Sequence, residues 1–154
     1  MAFYSGPYDD PVQVAFKAAD ESVTTAVLQD DDDLQLAVKA GKYYAVEFYC
    51  VAAGAEDLKF KFSAPGTSTL VWNDFGNLVA DLSGAGQLST AAEVYAVAAD
   101  LTWANTAADA GYAVSYGLLA CDTDGTFKVQ FCGAVGVAAV TMKAGSYLIL
   151  RKLN

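Results

Sequence analysis

The residues best equipped for chemistry in this chain are its carboxylates. Four consecutive aspartates, Asp30 to Asp33, stand between apolar residues in "LQDDDDLQL". Such a run either offers oxygen ligands to a hard cation or forms a turn that water solvates. A calcium loop of the EF-hand kind needs oxygens at alternate positions, glycine at the sixth and glutamate at the twelfth. Counted from Asp30, the fifth position is Leu34, the sixth is Gln35 and the twelfth is Gly41, so the pattern fails. "DTDG", Asp122 to Gly125, has alternate aspartates, but it closes on Asp-Gly, the pair favoured in hairpin turns. Consecutive aspartates hydrogen-bond their own backbone and resist continuing a strand. Asp30 to Asp33 are therefore read as a solvated turn between strands over 23–28 and 34–38. No metal ion or other cofactor is expected.

The rest of the catalytic inventory is thin. The chain has no histidine, which removes the commonest general base and the usual triad partner. No serine sits in G-x-S-x-G, and "GAG" at 84–86 lacks the lysine of a phosphate loop. Two strand-borne glutamates, Glu47 and Glu93, could in principle serve as the carboxylate pair of a glycosidase. Glu47, however, alternates with Tyr43, Ala45 and Tyr49 on one outward face. Cys50, Cys121 and Cys132 are widely spaced, form no C-x-x-C and lie in apolar contexts, so they read as small buried hydrophobes. The chain is not expected to be an enzyme.

The elements that carry these residues alternate with period two. Leu58, Phe60 and Phe62 oppose Lys59 and Lys61; Phe127, Val129 and Phe131 oppose Lys128 and Gln130; Tyr44, Val46, Phe48 and Cys50 oppose Tyr43, Ala45, Glu47 and Tyr49. Such segments are half-buried strands. Further strands are predicted over 69–72, 112–121, 137–142 and 146–153. The turns between them are "AGK" at 40–42, "APG" at 64–66, "DTDG" and "KAG" at 143–145. The alanine-rich stretch from Ser89 to Gly111 reads as a strand over 93–102 followed by a loop, in preference to a helix capped by Ser89. Eight or more short strands with these turns predict an all-β, antiparallel β-sandwich of jelly-roll type. Residues 1–22 are predicted to be an extended N-terminal arm and residues 23–154 the sandwich domain.

Charge restricts the partners. Of 154 residues 18% are charged, and the net charge is −9. That balance repels nucleic acid and anionic membranes, and no apolar run approaches the roughly 20 residues of a spanning helix. The N-terminus has no signal-peptide pattern, so neither secretion nor cleavage is expected. Yet 55% of the residues are hydrophobic. Tyr112, Val114, Tyr116 and Leu118 oppose Leu119 and Cys121, and Tyr147 and Ile149 oppose Leu148 and Leu150. Strands apolar on both faces suggest one face for the core and one for a subunit interface, with a homotrimer expected.

Three segments carry a resemblance. "TTAVLQDDDDLQLAVKAGKYYAVEFYC", "LKFKFSAPGTSTLVW" and "VTMKAGSYLILRKLN" resemble a β-rich virion module of tailed bacteriophages. The shared features are the aspartate segment Asp31 to Leu34, "A-G-x-x-Y-x-x-E" at Ala40 to Glu47, "F-x-A-P" at Phe62 to Pro65 and the closing "A-G-S-Y-L-x-L" at Ala144 to Leu150. The resemblance implies a structural protein of the virion: a capsid decoration (cement) protein on the phage head, with the major capsid protein and copies of itself as partners. A receptor- or carbohydrate-binding module of a head or tail fibre is the alternative, using Tyr43, Tyr49, Trp72 or Trp103. The proline-punctuated start, "MAFYSGPYDDPVQVAF", supplies Phe3, Tyr4, Tyr8 and Phe16 as candidate anchors of the arm against a neighbour.

Overall fold

The computed structural model describes residues 11–55, 57–77, 101–103 and 111–154. Eleven strands and no helix occur among them: β1 (Val12–Phe16), β2 (Glu21–Val23), β3 (Gln29–Val38), β4 (Tyr43–Gly54), β5 (Leu58–Ser63), β6 (Thr69–Asn77), β7 (Leu101–Trp103), β8 (Gly111–Ala120), β9 (Gly125–Gly133), β10 (Val140–Met142) and β11 (Tyr147–Lys152). All pairings among them are antiparallel. Of the strand predicted over 93–102, residues 101 and 102 are described, and they belong to β7.

The strands form two sheets. The smaller runs β3-β9-β5-β7. The seven strands of the larger fall in five columns, because β2 continues the line of β1 and β10 that of β11, giving β1/β2, β11/β10, β4, β8, β6. The alternation in the sequence is what lets the sheets close on one core. From the larger sheet come Tyr44, Val46, Phe48, Cys50, Leu119, Leu148 and Leu150; from the smaller come Leu36, Leu58, Phe60, Phe62, Phe127, Val129 and Phe131. Phe62 stands at the aromatic centre. Its ring lies 5.4 Å from Phe48 edge-on, 6.0 Å from Phe60 edge-on and 5.5 Å from Phe127 stacked. Burying each such ring contributes about 1.5–3 kcal/mol from area alone. The three cysteines are buried and in no disulfide, Cys50 and Cys121 within this core cluster.

The expected turns interlock at one end of the sandwich. Asp122 accepts the Thr67 N–H (2.9 Å) and the hydroxyls of Thr67 and Ser68. Asp124 accepts the Ala40 N–H (2.8 Å) and pairs with Lys39 (2.8 Å). Gly66 has a φ of +64°, and a Cβ there would overlap Thr123 Oγ1, so the close approach of the two turns requires glycine.

These bonds set an acid limit. Hydrogen bonds from Thr67 hold Asp122 down at about 2, and the Lys39 ammonium with the Ala40 N–H lowers Asp124. Lys143 lowers Asp20, and Lys128 with Gln130 lowers Asp30. A carboxylate with a depressed folded pKa stabilises above its unfolded value, about 3.9, and loses that contribution as pH falls through the folded value. The urea midpoint should therefore be flat from neutral pH down to about 4 and fall steadily toward about pH 2. A midpoint unchanged at about pH 2.5 would show that these carboxylates do not hold the turns.

Two expectations are corrected. The predicted strand over 23–28 ends at Val23; residues 24–28 form a loop in which the Val27 N–H donates to Thr25 Oγ1 (3.1 Å) and the Gly133 N–H to the Thr25 carbonyl (2.9 Å). The strands of the sandwich also begin at Val12 instead of Val23. Val12 to Phe16 pair residue by residue with Arg151 to Tyr147, and Glu21 to Val23 pair with β10. "VQVAF" alternates, and Pro11, which has no N–H to give a ladder, immediately precedes it. Of the expected arm 1–22, residues 1–10 lie outside the described residues.

Candidate interaction surface

The aspartate run is not a solvated turn. Gln29 and Asp30 pair with Phe131 and Gln130, and the pairing resumes at Gln35 with Lys128, so the run forms an irregular bulge within β3. Asp30 pairs with Lys128 and accepts from Gln130 (2.6 Å) on the outer surface. Asp31 turns inward and is 0% exposed. Its Oδ1 accepts the backbone N–H groups of Asp33 (3.0 Å) and Leu34 (2.8 Å), and its Oδ2 accepts from Lys17 Nζ (2.8 Å). The tendency of aspartate to bond its own backbone operates here as expected, but inside a sheet.

Lys17 follows β1, where the Lys17 N–H donates to the Ser146 carbonyl and the Gly145 N–H to the Lys17 carbonyl. Its side chain runs inward, 1% exposed, and also donates to Glu21 Oε2 at 2.5 Å, with Asp33 Oδ2 at 3.9 Å. Burial pulls the Lys17 pKa down, but hydrogen bonds to Asp31 and Glu21 outweigh it and hold the ammonium above its usual value. This ion pair joins the two sheets. It also commits the oxygens of Asp31, and among the described residues no group of three or more acidic or thiol side chains is placed to hold a metal ion.

The two outward faces of the sandwich differ in kind. The smaller sheet turns Lys59, Lys61, Lys128, Gln130 and Gln35 outward, a face that water solvates. The larger sheet does not. Register places Val12, Arg151, Ala45, Leu118 and Val71 in one row across five columns, Val14, Ile149, Glu47 and Tyr116 in the next, and Phe16, Tyr147, Tyr49 and Val114 in a third. Tyr43 (49% exposed), Tyr116 (50%) and Leu118 (46%) stand open to solvent. Tyr147 stacks on Tyr49 at 5.3 Å and its hydroxyl donates to Glu47 Oε1 (3.0 Å). Burial first, and the Glu47 bond second, raise the Tyr147 pKa. Arg151 lies 3.9 Å from Glu47, so the charges in these rows cancel.

Of the expected anchors, Phe16 is on this face, 40% exposed at the rim; Phe3, Tyr4 and Tyr8 lie outside the described residues. Of the aromatics named for the alternative, Tyr43 and Tyr49 are on the face, while Trp72 and Trp103 stand on β6 and β7. What the sequence could not supply was the assembly of Phe16, Tyr147, Tyr49 and Val114 into one row, since the register joins residues far apart in the chain. The class of protein these features define is an all-β, antiparallel sandwich with one polar outward face and one apolar outward face. No family model matches the chain, and no curated protein matches it.

Proposed function

We propose that the chain is a structural virion protein, a decoration protein that binds the outside of a bacteriophage head as a homotrimer, against the major capsid protein. The observation that supports association in this reading is the apolar outward face of the larger sheet, while the outward face of the smaller sheet carries lysines and glutamines. The jelly-roll reading is supported by the strand orders: without β2, β6 and β10, the sheets run β1-β11-β4-β8 and β3-β9-β5-β7, and every connection but β5 to β7 changes sheet. The phage resemblance supplies the particle, and a shell gains stability when small subunits bridge its capsomers. The exposed tyrosines Tyr43 and Tyr116 favour one alternative, a carbohydrate-binding module of a fibre.

The test is sedimentation with undecorated heads, comparing the full chain with a truncation lacking residues 1–10. Deletion must stop before Pro11, because β1 pairs with β11 and Lys17 holds Asp31. Each aromatic anchor among Phe3, Tyr4 and Tyr8 that loses about 1.5–3 kcal/mol of burial weakens docking about tenfold or more. The truncation should remain folded and be washed off the heads. Equal retention of both chains would remove the arm from docking. Failure of the full chain to sediment with heads, together with binding to host envelope sugars, would replace the reading with the alternative.

A further inference from the structure

We infer that the outward face of the larger sheet is the surface through which copies of this chain bind one another. The inference deepens the homotrimer part of the reading above and is independent of its capsid part. The first reason is charge. A chain of net charge −9 repels its own copies, and association is cheapest where the local charge is zero. In the described rows of this face the ionic groups are Glu47 and Arg151, close enough to offset each other. A basic or acidic partner would find no complementary field there, whereas a second copy needs none.

Size is the second reason. Five columns about 4.8 Å apart and the three rows about 6.8 Å apart give a footprint on the order of 490 Å². A stable protein interface uses about 800 Å² on each partner, so these three rows supply more than half of one. Composition is the third. Tyr43, Tyr49, Tyr116, Tyr147, Leu118 and Val71 match the aromatic-rich, charge-poor centre of subunit interfaces, and the Tyr147–Glu47–Arg151 group provides polar atoms that set register. The opposite outward face, with its lysines, has none of these features.

The experiment uses the full chain and light scattering after size exclusion. Wild type should run as an oligomer whose mass is unchanged or increased by high salt, because an apolar contact is not screened. Tyr116→Lys and Leu118→Lys, each placing an ammonium in a contact that has no charge to match it, should weaken association at least tenfold, while circular dichroism, and the thermal midpoint at a dilution where wild type is also dissociated, stay near wild type. Val137→Lys, at a more exposed valine in the loop between β9 and β10, should leave the oligomer intact. If the lysine variants fail to fold, acetylation of wild-type tyrosines decides the matter: Tyr43 and Tyr116 should be protected at high concentration and reactive on dilution. A monomeric wild type, an oligomer that survives both lysine variants, or tyrosines equally reactive at all concentrations overturns the inference. A monomer that still binds heads refutes this inference alone, and an oligomer that ignores heads refutes the capsid reading alone.

Discussion

Replacing Asp31 with alanine should lower the unfolding free energy by about 3–5 kcal/mol, the largest effect expected of any polar substitution among the described residues. The change strands the Lys17 ammonium, 1% exposed, and removes the acceptor of two backbone N–H groups. Lys17→Met should cost nearly as much, because Asp31 then remains buried beside Glu21 and Asp33 with its counter-charge gone. The double variant Lys17→Met/Asp31→Asn should recover much of the loss: the asparagine is neutral, yet its side-chain oxygen can still accept the N–H groups of Asp33 and Leu34. Urea unfolding of the three variants checks this order, and single variants within about 1 kcal/mol of wild type would show that the pair is not desolvated. The sign with pH follows from Lys17. Its folded pKa is raised, so its contribution is complete below the unfolded value, about 10.4, and fades as pH rises through the folded one.

The second large effect belongs to Phe62. Phe62→Ala should cost about 3–5 kcal/mol, since it leaves a cavity where four rings meet and the sheets on either side cannot collapse onto it without breaking their ladders. The contrast with Tyr116 gives the result its meaning. Both are aromatic strand residues, but Phe62 faces the core and Tyr116 faces away from it. At a dilution where wild type is dissociated, thermal unfolding should separate them cleanly, with Phe62→Ala lowering the midpoint by many degrees and Tyr116→Lys changing it little. Equal losses at both sites would mean that Tyr116 is part of the subunit's own packing, and the case for an interaction face would weaken with it.

How much of this was legible in the chain depends on the range of the physics involved. Strand identity and the core follow from period-two alternation, a local property. Leu58, Phe60, Phe62, Phe127, Val129, Phe131 and the inward face of β4 are buried as the pattern predicts. The turns at 40–42, 64–66 and 143–145 carry positive-φ glycines, Gly41, Gly66 and Gly145, again a local matter. The apolar second face of β8 and β11 was visible as strands without a polar side, although not the row they form.

The aspartate run shows where local reasoning stops. Four carboxylates in sequence specify self-bonding backbone and a resistance to regular pairing, and the bulge in β3 expresses both. Whether those carboxylates face water depends on what lies opposite, and a cation buried against Asp31 reverses the answer. Lys17 is fourteen residues away, in "FKAADES", a segment that looks solvated on its own. It is carried inward by the pairing of β1 with β11, at the far end of the chain. The sequence by itself determined the all-β class, the alternating core and the turn chemistry, because each depends on neighbours a few residues apart. Only the tertiary structure decided which aspartate is buried, that residues 12–16 belong to the sheet, and that tyrosines from three strands share one apolar face, because each depends on pairing between distant strands.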